Sequence, residues 1–314
     1  SVDDARAFDA QVHKEHPSPL LDHRALGQFA GLGKGEITAF EKRFHRVPAP
    51  RGCCRCPIRG LDGIIGLGLV VVHFVFSHCP SSISERPAIG KNAYSCYHIS
   101  MVITWYGQAC FKIQSGDLVI AIDPFAKEIG LTPPRFRADM ALVTHAHYDH
   151  SNTEALGGEP FLVAGPGEYE VKGVPIRGIE TFHDRAAGKE RGLNTIYRFE
   201  VEGITVLHLG DFGEERLREE ALEEVGDVDV LLIPVGGTYT IDAADAARIT
   251  KQVEPAYVIP MHYKLPGVKA NLTGVEPFLK EMGISKAEPA EKLVLKKKDI
   301  PEEAKTAVVV LKTA

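Results

Sequence analysis

Seven residues constrain this chain more than any others: Thr144-His145-Ala146-His147-Tyr148-Asp149-His150. They follow the apolar run Met140 to Val143, which reads as a short buried strand. Such a strand delivers its last side chains to a sheet edge, where ligands sit in layered α/β proteins. His145 and His147 are two apart, so an extended backbone turns both to one side. Asp149 and His150 follow where the chain enters a polar, Asn-containing segment. Three imidazoles and a carboxylate this close together are a metal-ligand cluster by type. An exposed polar turn holding three histidines by chance is the poorer reading.

From Met101 onward the chain alternates β-type runs with turn signals. Val102 to Trp105, Cys110 to Ile113 and Leu118 to Ile122 read as strands, separated by Gly107 and Ser115-Gly116-Asp117. Asn152 to Leu156 reads as a short helix ending at Gly157-Gly158. Phe161 to Ala164, Val174 to Phe182, Asn194 to Val201 and Ile204 to Leu207 read as strands. Glu214 to Glu223 reads as a charged amphipathic helix, and Val228 to Ile233 as a buried parallel strand. Asp242 is a fitting N-cap for a helix over Ala243 to Gln252. Ala256 to Ile259 is a strand, Gly274 to Met282 a last helix, and Leu293 to Leu295 and Thr306 to Leu311 closing strands. This alternation predicts an α/β layered protein.

Three more side chains stand at predicted strand ends. His183 ends one strand, Asp211 follows a second in His208-Leu209-Gly210-Asp211, and His262 follows a third in Pro260-Met261-His262-Tyr263. Each has a plainer reading as a packed histidine or, for Asp211, an Asx turn.

The heptad, read as H-x-H-x-D-H, resembles the signature of the metallo-β-lactamase-fold hydrolases. Ile103-Thr104-Trp105-Tyr106-Gly107 through Ile122-Asp123-Pro124-Phe125 is similar to the opening hairpin of one branch. That branch includes L-ascorbate-6-phosphate lactonase and related Zn-dependent hydrolases. His208-Leu209-Gly210-Asp211, Pro234-Val235-Gly236-Gly237 and Pro260-Met261-His262-Tyr263 are similar to its later motifs, in the same order. The likeness runs from Met101 to about Ala314. It implies a four-layer αββα sandwich over 101–314.

The resemblance also implies two metal sites. His145, His147 and His183 would hold the first; Asp149, His150 and His262 the second; Asp211 would bridge them. Asp123 would brace the metal loop, although a strand-end turn explains it equally well. His208 receives no ligand role and reads as packed behind the site. Imidazole and carboxylate without thiolate suit two divalent ions, Zn first, with Mn, Fe or a single ion as alternatives. His147, where the di-iron redox members carry a carboxylate, favours hydrolysis. Asp211, where many true metallo-β-lactamases carry Cys, argues against antibiotic hydrolysis.

The expected function is a metal-dependent hydrolase using a metal-bound hydroxide on an ester, lactone or related bond. Asp149 would orient the nucleophile. A site of about +1 formal charge favours an anionic small molecule, with Tyr239 and Lys264 as candidate contacts. The alternatives are a phosphodiesterase acting on a lipid or nucleotide and, more weakly, a non-catalytic metal-binding protein.

Formal net charge is −6 and pI about 6.1, which argues against a nucleic-acid partner. A cytoplasmic location is expected, with a homo-oligomer possible. Residues 1–100 differ in kind. They hold five of the six cysteines, and all four methionines lie at or after Met101. Cys53-Cys54-x-Cys56 lacks partners that would complete a zinc site. The apolar run Gly63 to Phe76 is shorter than the roughly 20 residues of a membrane helix, so a membrane association is expected only if that run is genuine. The expectation is an irregular extension of unknown role, not a native domain, translated ahead of a start at Met101.

Overall fold

The structure is a computed structural model and describes residues 100–301 and 305–314. The expectations for Cys53 to Cys56 and Gly63 to Phe76 lie outside the described residues. Two mixed sheets face each other. The first has six strands in the order β12-β1-β2-β3-β4-β5, built from β1 (Met101–Gly107), β2 (Cys110–Ser115), β3 (Leu118–Ile122), β4 (Met140–Val143), β5 (Phe161–Ala164) and β12 (Leu293–Leu295). The second has seven, in the order β13-β11-β10-β9-β8-β7-β6. They are β6 (Gly167–Val171), β7 (Val174–Phe182), β8 (Leu193–Val201), β9 (Ile204–His208), β10 (Val230–Pro234), β11 (Tyr257–Met261) and β13 (Ala307–Val308).

Each sheet opens as an antiparallel meander and continues in parallel strands. β3, β4 and β5 run parallel in the first sheet, and β9, β10 and β11 in the second. Alternation along β1 buries Met101, Ile103 and Trp105 and leaves Val102, Thr104 and Tyr106 half-buried. Those inward residues join Ile120, Ile122, Met140 and Leu142 against Phe199, Val206 and Leu232 of the second sheet. Apolar area between the sheets is the main source of stability, at roughly 25 cal/mol per Å² removed from water. Polar ties cross it as well, one of them at Tyr197. The buried Tyr197 of β8 donates its hydroxyl to the Val143 carbonyl at 2.8 Å and accepts from the Gly165 N–H at 2.9 Å.

The helical layers are unequal. Among the described residues every α-helix lies late in the chain: α1 (Glu219–Val225), α2 (Ala243–Val253) and α3 (Glu276–Glu281). Asp242 caps α2 as expected, accepting from Ala244 and Asp245 N–H at 3.0 Å. The outer face of the first sheet is covered by loops instead. Its small residues Ala121 and Ala141 meet Phe136, Ala138 and Leu156, and Cys110 packs with Phe125 and Ile129. Burial pushes the Cys110 thiol well up, as befits a side chain packed as a small hydrophobe.

Four predicted elements are shorter than expected, the last helix being Glu276–Glu281 in place of Gly274 to Met282. The helix over Asn152 to Leu156 is one 3₁₀ turn, Thr153–Ala155, because Asn152 spends its N–H on Pro124 and its amide on Phe125. The helix over Glu214 to Glu223 begins only at Glu219. Glu214 accepts from the Phe182 N–H at 3.0 Å, and Gln252 takes both backbone groups of Leu217. The strand over Thr306 to Leu311 narrows to Ala307–Val308, with Leu311 forming an isolated bridge to Ala290.

Candidate metal centre

The heptad leaves β4 at one edge of the sandwich, and His262 leaves β11 at the same edge. His183 follows β7, and Asp211 follows β9. Two groups result. His145, His147 and His183 form one; Asp149, His150, Asp211 and His262 form the other, and the ligand atoms within each lie within 4.8 Å of one another. All seven residues singled out in the sequence are thus brought together.

Asp211 is their centre. Its Oδ1 lies 3.2 Å from His150 Nε2 and 3.3 Å from His262 Nε2, and its Oδ2 lies 3.4 Å from His183 Nε2. None of these contacts has hydrogen-bond geometry. Asp211 Oδ1, His150 Nε2 and His145 Nε2 are buried polar atoms without a hydrogen-bond partner. Lone pairs left this way are costly unless something electrophilic takes them. A divalent cation fits that need, and the N/O donor set suits it.

The protonation states agree. Burial pushes His145 well below the ordinary imidazole range, helped by the neighbouring His150. Burial also pushes His183 down to about 4, so both present neutral lone pairs near pH 7. His150 goes the other way: burial opposes its charge, but Asp211, Asp149 and Asp123 together raise it. Burial would raise the Asp211 carboxyl, yet His150 and His262 hold it well below the usual range.

The His183 shift predicts a pH effect in metal-free protein. Its folded pKa lies below its unfolded value of about 6.5, so the unfolded chain binds the extra proton. The stability it contributes is therefore full above about pH 6.5 and is lost as pH falls toward its folded value of about 4. Urea titrations of chelator-treated protein at a series of pH values between those limits should show a shallower acid-side loss for His183→Gln than for the parent. An unchanged slope would mean that His183 titrates normally.

Asp123 holds the assembly from behind. It is fully buried, at φ 44°, and faces four donors. Oδ1 accepts from the Thr144 N–H at 2.9 Å, and Oδ2 from the Thr144 hydroxyl at 2.8 Å. His150 Nδ1 lies 2.9 Å and His208 Nε2 3.0 Å from the same Oδ2. Burial would raise this carboxyl; the charges and hydrogen bonds of His150 and His208 outweigh it and hold the pKa far down. The bond to Nδ1 fixes the His150 ring with Nε2 toward the cluster. Backbone contacts do similar work: a Cβ on Gly236 would stand 2.1 Å from the His262 carbonyl oxygen, and one on Gly213 2.3 Å from the His183 carbonyl carbon.

Other contributors carry no signal in the sequence. Asn194 accepts from the Asp211 N–H at 3.1 Å and donates to the Leu209 carbonyl at 3.0 Å. Asp184 accepts four backbone N–H bonds, from Ala186, Gly188, Glu190 and Arg191, and so folds its loop around itself. Gln108, in the β1–β2 turn, reaches both Asp149 and His262. The candidate substrate contacts are placed differently. Tyr239 lies under the Arg191 guanidinium, 4.7 Å from ring centre to carbon. Lys264 donates to the carbonyls of Val268 and Ala270 at 2.6 and 2.8 Å. Beside His145 opens a cavity of about 450 Å³ lined by Thr144, Leu162, Ala164, Pro166 and Leu193 among others.

Comparison with known proteins agrees with this geometry. A family profile described as a beta-lactamase superfamily domain matches residues 102–262. A UPF0173 metal-dependent hydrolase of Pyrococcus furiosus is 30% identical over 223 residues, covering 62% of this chain and 96% of that protein. One from Thermococcus onnurineus is 29% identical over 228 residues, 64% and 98% of the two chains. A crystal structure from Thermotoga maritima, assigned to the Zn-dependent hydrolases of the metallo-beta-lactamase superfamily, is 38% identical. It covers 68% of this chain and all of that one, with a TM-score of 0.55. With two facing mixed sheets, a histidine-rich edge and these relatives, the chain belongs to the beta-lactamase superfamily, in its metallo-β-lactamase fold.

Proposed function

We propose that the chain is a metal-dependent hydrolase that holds two divalent cations, Zn first among them, and cleaves an ester or lactone bond of an anionic small molecule. One observation carries this reading: seven metal-ligating side chains from both sheets converge around Asp211, and His145 Nε2, His150 Nε2 and Asp211 Oδ1 among them are buried without a hydrogen-bond partner. His145, His147 and His183 would hold one cation, and Asp149, His150 and His262 the other, with Asp211 shared. Cations held there would supply Lewis-acid polarisation and a water acidic enough to react near pH 7. The protein's own part is positional. Asp123 fixes the His150 ring, Asn194 fixes the Asp211 loop, and Asp149 would orient the attacking water. The cavity beside His145 gives room for the non-reacting part of a substrate. Tyr239 and Lys264 remain candidate contacts, and Lys264 would have to release two loop carbonyls to serve. Among the described residues no helix is long and apolar enough to cross a membrane. A cytoplasmic setting belongs to the same reading.

The test is metal content per chain by plasma mass spectrometry on protein purified without chelator. It is paired with assays on phosphorylated lactones, carboxylate esters and phosphodiesters. About two ions per chain with lactone or ester turnover is the expected result. Turnover of phosphodiesters alone would replace the substrate class. No metal after reconstitution would overturn the reading.

A further inference from the structure

Leu162 and Leu193 are 52% and 51% exposed, and they are two of the four large apolar side chains left exposed among the described residues. Both line the cavity of about 450 Å³ that opens beside His145. That size falls within the roughly 300–1,000 Å³ of small-molecule pockets. Exposed apolar groups that meet at one concave place point to a binding site, where scattered ones do not. Ala146, Ala164 and Pro166 extend the apolar wall, and no Asp, Glu, Lys or Arg is among the described residues that line it.

Polar groups in the wall are turned to internal partners. The Thr144 hydroxyl donates to Asp123 at 2.8 Å, and the Ser151 hydroxyl to the His147 carbonyl at 2.9 Å. The Thr144 carbonyl accepts from the Thr195 N–H at 2.9 Å, and the Val143 carbonyl from the Tyr197 hydroxyl at 2.8 Å. The Gly165 N–H donates to that same hydroxyl at 2.9 Å. A polar ligand group entering here would leave water and find these groups taken, while a hydrocarbon has no hydrogen bonds to lose.

Strand register fixes the cavity against the histidines. Ala164 of β5 pairs with Val143, two residues before His145. Leu193 of β8 pairs with Phe182, the residue before His183. The cavity walls thus stand on strands next to those that deliver two ligands of the first group, and His145 itself is part of the lining.

We propose that this cavity is the subsite for an apolar arm of the substrate, so that the bond cleaved belongs to an ester or lactone carrying a hydrocarbon chain or ring. This rests on the hydrolase reading. It also puts any anionic group of the substrate outside this cavity, since no Lys or Arg is among the described residues that line it. A second copy of the chain is the competing occupant; a cavity with a cluster histidine in its lining fits the substrate better.

The experiment uses the full chain in two arms. Zn²⁺-loaded protein is assayed on p-nitrophenyl acetate, butyrate and hexanoate. Chelator-stripped protein is titrated with butanol, hexanol and octanol, read by displacement of the neutral dye N-phenylnaphthylamine. In the parent, kcat/KM should rise about three- to fourfold per added methylene, and the alkanol dissociation constants should fall in the same proportion. Leu162→Asp and Leu193→Asp should each reduce both slopes to less than about twofold per methylene. Val294→Asp removes an equally exposed apolar side chain from β12, at the opposite edge of the first sheet, and should keep the parent's slopes. Circular dichroism checks that each variant is folded. Ester turnover with no dependence on chain length, or slopes that survive in both folded cavity variants, would overturn the proposal and leave the hydrolase reading standing. Alkanol binding with no turnover of any ester, lactone or phosphodiester would overturn the hydrolase reading and with it the assignment of the cavity to a substrate. A dimer, seen by sedimentation, that Leu162→Asp dissociates without changing either slope would make this face a contact between copies and also overturn the proposal.

Discussion

Asp211→Ala is expected to lower bound metal from about two ions per chain to one or fewer, and to cut hydrolysis on the order of 10³-fold or more. Asp211 lies against residues of both groups: His183 of the first, and His150 and His262 of the second. On the proposed two-cation reading, removing it would take one ligand from each cation and leave their mutual repulsion unscreened in a buried setting. Loss of several kcal/mol of charge stabilisation at the reacting centre corresponds to about that fall in rate, at roughly tenfold per 1.4 kcal/mol. Plasma mass spectrometry and turnover on the best substrate, measured on the same preparation, check the two halves together. A variant that keeps its metal and loses activity would make Asp211 a participant in the chemistry more than a ligand. One that keeps both would remove it from the site.

Asp123→Ala is expected to be the most destabilising single change at this edge, by about 3–5 kcal/mol. It strips four donors of their acceptor at a position with no solvent to replace it. His150, raised toward its charged form, loses one of its three carboxylates. Metal affinity should fall about 10- to 100-fold besides, because the His150 ring loses the bond that orients it. Thermal unfolding of metal-free protein measures the first effect and chelator competition the second. The contribution also has a pH sign. A carboxyl held below its ordinary range stabilises the fold above about pH 4 and loses that effect as the medium becomes more acidic. The parent should therefore approach the variant's stability in acid. Asp123→Asn, which keeps one carbonyl oxygen for Thr144, should fall between the two.

The seven cluster residues were legible in the sequence because cation chemistry accepts few residue types and the strands set where they fall. A histidine two places from another after Val143, or alone after Phe182 or Met261, is informative before any fold is known. Asp123 was half legible: the turn reading and the brace reading both fitted Ile122-Asp123-Pro124. Only the structure shows four donors on one carboxylate. Gln108 and Asn194 were not legible. Both have ordinary polar side chains, and Gln108 meets His262 across 154 residues of sequence. The helix boundaries that failed, near Asn152 and Glu214, failed for a shared reason. Local propensity favoured a helix, and a distant backbone group had already claimed the side chain or amide that would have started it.

The Tyr197 hydroxyl has a thermal consequence. Sheets held together only by aliphatic side chains can creep past one another as rotamers change on warming. Tyr197 fastens the second sheet to the Val143 carbonyl, one residue before the histidine-bearing turn begins. That bond opposes relative sliding of the two sheets next to the turn that carries His145. Cation retention should accordingly persist until cooperative unfolding sets in, instead of fading ahead of it.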